Sequence, residues 1–486
     1  MTKKLIILIS IVFTLLFAYF SWPYKLGITP DSVSYIQIVK SILLGNGIVD
    51  ENGILITHWP PLYPLLVALT TKLFNCSIPT GAFILNVGLL STISLIFYNL
   101  LTTLKIDKKV IPFIVILLLT SYTSLVFIYF LSEGLFMVLL LLVTLLLIKW
   151  GKTSSYKYII WAGVISSALL LTRYAGLGYI GGFGFYILIL HKSKIKPRLK
   201  AVLIYTISSL SLFILWLIYC YYFNNSNTIR NIDFFGFRFR RLLSLTKTII
   251  YWFLYNGYIA TIILSFIVIS FFKFKTIQKT IIAQVKSCTP IILLLVTLLC
   301  SYTVFIVLSI SFFDENVPVN TRIFFPFYFI ILTLVVLILN PILKTKQYQP
   351  ITIVLFIILL LSNILNTYQL RVNHYQNGTQ YSAEVWKNSQ SINYIKSKDT
   401  LNLYTNAHDI MRFYKNVNNH KLPFINTKTY DSTLQKMTQD LKQGKAQILF
   451  FNNINRRYFI SKPDLLTHFK DFKIHYFEDG MLIKNL

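Results

Sequence analysis

Charge is what this sequence lacks most. Only 13% of its 486 residues are Asp, Glu, Lys or Arg, where a soluble domain carries about 25%. Acid is the scarcer sign, with 17 Asp and Glu against 46 Lys and Arg. A chain that is 55% hydrophobic has too few charged side chains to clothe a soluble surface, which excludes an ordinary soluble enzyme. Cysteine is rare too. Cys76, Cys220, Cys288 and Cys300 are scattered, without CxxC or ligand spacing, and read as isolated thiols in or near helices. No group of His, Cys and Asp has the spacing of a built-in metal site. The chain also lacks a Gly-rich phosphate loop, an internal repeat and any low-complexity segment. No cofactor is expected; a divalent metal is left open but has no sequence signal.

What is present is a series of long apolar runs. A membrane span needs about 20 apolar residues. Candidates fall at 4–22, 82–103, 110–130, 132–149, 158–172, 175–190, 201–222, 249–271, 289–312, 324–342 and 350–366. The reading is an all-α polytopic bundle of about eleven transmembrane helices. The first run lacks a small-x-small cleavage site and is read as an uncleaved helix. The basic residues set the orientation. One side of the predicted membrane holds 19 Lys and Arg against the single acid Asp107, in loops such as KIDKK and HKSKIKPRLK. That is the positive-inside signal, so the excess charge marks topology and not nucleic acid. The N-terminus is then cytoplasmic, and an odd number of spans puts the tail outside a cell (inner) membrane.

Two domains are expected, 1–366 in the membrane and 367–486 outside it. The last 120 residues contain no span, and short apolar runs at 401–405, 447–451 and 472–477 alternate with helical segments. This pattern predicts a small α/β domain. The first outer loop, about 23–81, is also structured. Apolar residues from Val33 to Leu43 recur near helical spacing and predict a surface helix over Asp31–Leu44, ended by Gly45-Asn46-Gly47. A second short helix, surface or re-entrant, is predicted from Leu62 to Leu73 after Pro60-Pro61.

Few residues on the outer side offer chemistry. Asp31 lies nine residues beyond Trp22, near the end of the first span, where a carboxylate can act as general base on a hydroxyl. The same residue has a structural reading, as N-cap of the surface helix. Glu133, in FLSEGLF, is bounded by apolar runs, where a carboxylate is costly unless it meets a cavity or a partner; the plain alternative is an exposed turn. Arg173, in LLLTRYAGL, is the matching cation, and a Glu133–Arg173 pair would satisfy both. Arg322, just before a late span, is either an interfacial anchor or a ligand for a phosphate, whose geometry Arg suits. Arg238, Arg240 and Arg241 form a basic aromatic patch, FGFRFRRLL, read as an interfacial helix or as a phosphate contact. His58 is either a solvated loop residue or part of a pocket with the prolines around it.

Taken in order, Asp31-x-x-x-Tyr35 followed by His58-Trp59-Pro60-Pro61-Leu62-Tyr63-Pro64 resembles the first outer loop of the GT-C class of membrane glycosyltransferases. The resemblance is to the branch of protein mannosyltransferase-like and aminoarabinose transferase-like enzymes. It covers the first 366 residues in architecture. It implies Asp31 as the catalytic acidic residue, Glu133 as the second acid, and Arg322 with Pro326 as the late Arg-Pro pair. Tyr35, His58, Arg173, Arg240 and Arg241 are the further substrate-binding candidates. His58 departs from the pattern, since Trp59 separates it from the prolines. The implied reaction is sugar transfer from a polyprenyl-phosphate donor to a lipid, glycan or protein acceptor at the outer face of the bilayer. Competing readings are a lipid-linked glycan polymerase or ligase, and a flippase or transporter. The chain lacks the inverted repeats common in transporters.

Overall fold

The computed structural model describes residues 2–50, 53–190, 194–223, 275–313, 321–345, 349–397, 402–415, 419–425, 429–454 and 458–485, together with Phe234, Leu243, Lys247, Thr427 and Arg456. By compactness the chain divides into two units. The first contains Met1–Lys25 and Tyr35–Val372, the second Leu26–Ser34 and Asn373–Leu486.

The first unit is helical. Its helices are α1 (Thr2–Ser21), most of α2 (Pro30–Leu43), α3 (Leu62–Leu73), α4 (Ile78–Thr103), α5 (Ile111–Thr120), α6 (Glu133–Thr153), α7 (Tyr156–Thr172), α8 (Gly176–Phe185), α9 (Ile195–Phe223), α10 (Lys275–Phe312), α11 (Thr321–Lys344) and the greater part of α12 (Gln349–Asn377). Among the described residues six of these, α1, α4, α6, α9, α10 and α11, are long and apolar enough to cross a membrane. A seventh crossing results if α5 and the 3-10 helix Tyr122–Ile128, bent by 56°, form one broken span. The chain is a multi-pass membrane protein. The count of eleven is not reached by helix length and composition. The runs at 158–172 and 175–190 form the shorter helices α7 and α8, and 249–271 lies outside the described residues.

Small and hydroxylated residues let these helices approach, as expected where lipid removes the hydrophobic drive between spans. At Gly163 of α7 a Cβ would meet Ser208 Cβ at 2.4 Å and Tyr205 O at 2.9 Å, both on α9. Ser166 and Tyr205 share a hydrogen bond of 2.9 Å beside it, and Ser167 Oγ accepts from Leu212 and Phe213 N–H. Elsewhere in the unit, Ser94 Oγ donates to Ser10 Oγ at 2.7 Å, joining α4 to α1.

The break after α5 positions the start of α6. Backbone polar groups inside a membrane protein must be satisfied internally. Asn86 of α4, fully buried, donates to both Phe127 O and Tyr129 O at 3.0 Å. Tyr63 of α3 donates to Asn86 Oδ1 at 3.4 Å. This fixes the chain just before Ser132 and Glu133.

The second unit is an α/β domain. Its five-stranded sheet uses β1 (Asn402–Thr405), β2 (Asn419–Lys421), β3 (Ala446–Phe451), β4 (Lys473–Tyr476) and β5 (Gly480–Lys484) in the order β2-β1-β3-β5-β4. β1 is parallel to β2 and β3; β5 is antiparallel to β3 and β4. Helices α13 (Glu384–Lys387) and α14 (Gln390–Lys396) precede β1, and α15 (His408–Tyr414), α16 (Tyr430–Lys442) and α17 (Lys462–His468) connect successive strands from β1 to β4. Tyr404, Met437, Leu441, Ile448, Phe469 and Ile483 are part of its buried core. The three expected strand runs form β1, β3 and β4; β2 and β5 have no counterpart among the expected runs.

Candidate active site

Three helix ends in the first unit bring three charged side chains together. Glu133 is the first residue of α6, where the helix dipole favours an anion. Arg173 ends α7 in extended conformation, at the helix end that favours a cation. Arg322 stands in the first turn of α11, where the dipole disfavours its charge. Glu133 compensates both. Its Oε1 receives Arg173 Nη1 at 2.7 Å and Arg322 Nε at 2.5 Å. The carboxylate is fully buried, while the Arg173 and Arg322 side chains are 17% and 32% exposed. Glu133 Oε2 is buried and has no hydrogen-bond partner among the described residues. Among the described residues the cluster thus joins two arginines on one carboxylate, with Arg322 the more exposed of the two.

Neighbouring groups hold this arrangement in place. Ser132 Oγ, buried, accepts from Arg173 Nη1 at 3.5 Å and shares a hydrogen bond of 3.1 Å with Tyr35 Oη. Tyr35 lies edge-on to Tyr63, with centroids 5.3 Å apart. Tyr302 of α10 donates to Ile323 O at 2.9 Å, next to Arg322, and stacks on Tyr179 at 4.5 Å. Tyr174, next to Arg173, donates to Thr57 O at 2.8 Å and accepts from Trp216 Nε1 at 3.3 Å. The segment between α2 and α3 is thereby pinned to the end of α7.

The pair anticipated between Glu133 and Arg173 is present, and Arg322 and Tyr35 join it. Ser132, Tyr302 and Tyr174 were missed: a serine next to a lone glutamate, and two tyrosines among 31, give no pattern to pick out. His58 is not in this cluster; it is exposed, with its ring 3.5 Å from that of Trp59. Arg238, Arg240 and Arg241 lie outside the described residues. Among those residues no three His, Cys, Asp or Glu side chains converge.

Asp31 belongs to the second unit by its contacts. The expectation that it caps α2 is corrected. Thr29 is the cap: its Oγ1 accepts from Ser32 N–H at 3.3 Å, and Ser32 Oγ accepts from Thr29 N–H at 2.9 Å. This is the reciprocal geometry of a capping box, with Ser in place of Glu. Pro30 begins the helix, its missing N–H costing nothing there. Asp31 follows, half-buried, in the first turn and one turn before Tyr35.

The fold that carries these residues is that of the GT-C membrane glycosyltransferases, the class that the first outer loop resembles. The chain is similar to ArnT, the aminoarabinose transferase of Cupriavidus metallidurans, solved bound to undecaprenyl phosphate, with a TM-score of 0.57 and 12% identity over 99% of this chain and 98% of that one. The apo state of the same enzyme gives a TM-score of 0.56 at 11% identity, over 99% and 97%. The oligosaccharyltransferase of Archaeoglobus fulgidus, solved with zinc and sulfate, gives 0.54 at 13% identity, over 99% and 73%. No family model matches the chain, and no curated protein matches it in sequence.

Proposed function

We propose that this protein transfers a sugar from a polyprenyl-phosphate donor to an acceptor hydroxyl at the extracytoplasmic face of a cell membrane. The observation that carries this reading is the Glu133-centred cluster, two arginines sharing one carboxylate, in a fold matched along its whole length by an enzyme solved with undecaprenyl phosphate. Arg322, partly exposed beside Arg173, presents a guanidinium whose geometry suits a phosphate. Asp31 takes the proton of the acceptor hydroxyl. The acceptor oxygen attacks the anomeric carbon, the bond from that carbon to the phosphate oxygen breaks, and the configuration inverts. The leaving polyprenyl phosphate keeps the bonding electrons, and Arg322 and Arg173 stabilise its growing charge. Glu133 orients both arginines, and Tyr35 holds Ser132 beside Arg173. A lipid monophosphate gathers less charge than a nucleotide diphosphate, and two arginines are enough to meet it; the proposed transfer is metal-independent. In this reading the N-terminus is cytoplasmic, and the C-terminal α/β unit and Asp31 lie on the extracytoplasmic side, where the lipid-linked donor is used. Arg240, Arg241 and His58 remain candidates for donor or acceptor contacts.

The test is mass spectrometry of lipids and surface glycans from cells carrying the wild-type protein or Asp31→Asn at matched abundance. The variant is expected to lose one sugar from a glycan and accumulate the matching prenyl-phosphate sugar. Identical profiles would remove Asp31 as base. Accumulation of a complete lipid-linked glycan would favour a ligase or transporter instead.

A further inference from the structure

The segment that carries Asp31 is held by the C-terminal unit through main-chain contacts. Ile28, buried, forms a parallel bridge with Gln380, and Tyr381 N–H donates to Ile28 O at 2.9 Å. From Ile28 the chain enters the Thr29–Ser32 capping box at once, so little torsional freedom separates the bridge from Asp31.

The turn that grips Ile28 is itself tied from several sides. Gln380 adopts φ +55°, a left-handed conformation uncommon for a residue with a Cβ. Such a conformation persists where the surroundings over-determine it. Here His374 Nδ1 and Thr379 Oγ1 share a hydrogen bond of 3.0 Å, and Ser382 Oγ donates to Thr379 O at 2.8 Å. Tyr414 Oη donates to Tyr381 O at 2.7 Å. Arg456 Nη2 donates to Tyr381 Oη at 3.2 Å and to Asp409 Oδ2 at 2.8 Å. Asp409 Oδ1 lies 2.5 Å from His408 Nε2. Burial acts to raise the Asp409 pKa, but His408 and Arg456 outweigh it and hold the carboxyl below the usual aspartate value, so Asp409 is ionised at neutral pH. Asp409 follows β1 and Arg456 follows β3. A pair that served the sheet alone would tie these two strand ends and stop there. This one continues to Tyr381, outside the sheet, whose main chain meets Ile28.

We propose that the network from Arg456 and Tyr414 through Tyr381 to Ile28 positions Asp31, making the C-terminal domain the holder of the base. The proposal rests on the reading of Asp31 as the base. Tyr381, Tyr414 and Arg456 are positioning residues in this scheme and touch no substrate.

The test uses the full chain in lipid nanodiscs, as Tyr414→Phe and Arg456→Met. Hydrogen exchange is followed in the peptides that cover 26–34 and β3. Binding of undecaprenyl phosphate is measured alongside, and sugar transfer is read by mass spectrometry of membranes from cells carrying each variant. The expected result is faster exchange at 26–34 with β3 still protected, undecaprenyl phosphate affinity unchanged within about twofold, and transfer reduced on the order of tenfold, since a 1 Å displacement of a reacting group can cost about a hundredfold. Unchanged exchange at 26–34 in both variants overturns the proposal. So does faster exchange with transfer at the wild-type level, and so does loss of β3 protection in Tyr414→Phe, which makes the contact structural. Asp31→Asn membranes run in parallel separate the two readings: normal transfer by that variant removes the base assignment itself, whatever the exchange shows.

Discussion

Glu133 shows how a single residue is read from sequence and then reread in three dimensions. A carboxylate between two apolar runs has to find a partner, because an isolated buried charge is expensive. That argument alone selects Arg173, a cation in an equally apolar setting. It does not select Arg322, 189 positions away, for which a lipid headgroup serves equally well on paper. The deciding factor is the dipole of α11, which leaves Arg322 at the wrong helix end unless an anion meets it. Removing the charge of Glu133 takes from both arginines the carboxylate they share. Glu133→Gln is expected to destabilise the protein by about 3 kcal/mol, the lower end for a broken buried pair because both arginines retain some solvent. Thermal unfolding in detergent measures it; a melting temperature equal to the wild type's would mean that the arginines do not depend on Glu133. The capping reading of Asp31 fails at the same scale for a local reason. Thr29 and Asp31 both qualify as caps in Thr-Pro-Asp-Ser, and Pro30 at the first helical position decides for Thr29.

At the scale of elements, apolar period and length located most helices, and turn residues located their ends. Helix α3 follows Pro60-Pro61 as predicted, and α2 differs from the expected helix by one residue at each end. Strand β2, the polar tripeptide Asn419–Lys421, carries no apolar signal. It exists because its backbone pairs with β1. Strand β5, GMLIK, is buried along four of its five residues, and such a short run is ambiguous between strand and helix. The contact between α7 and α9 was equally silent, since a lone glycine in an apolar run shows no partner. Gly163→Val places a side chain against Ser208 and the α9 backbone. It is expected to cost about 1–3 kcal/mol, the usual range for overpacking, and to lower the amount of folded protein in membranes. Gly181, with open space around its Cβ position, is the control: Gly181→Ala should leave abundance unchanged, as judged by fluorescence-detected size exclusion.

For the whole molecule, topology is the property that the sequence carries most redundantly, because each inner loop repeats the same basic signal. A reporter fused after Leu486 is expected to be extracytoplasmic. A cytoplasmic signal would overturn the orientation read from the basic loops. The multi-pass class, the apolar core and the α/β character of the tail follow from composition and periodicity, which are local and survive in one dimension. Three things were decided only by the tertiary structure: Arg322 sharing Glu133 with Arg173, Tyr35 reaching Ser132, and Leu26–Ser34 joining the C-terminal unit through Gln380 and Tyr381. Each joins residues about a hundred to more than three hundred positions apart. No periodicity extends over that distance; only the packed chain, satisfying a buried charge or an unpaired backbone carbonyl, chooses which distant partner answers it.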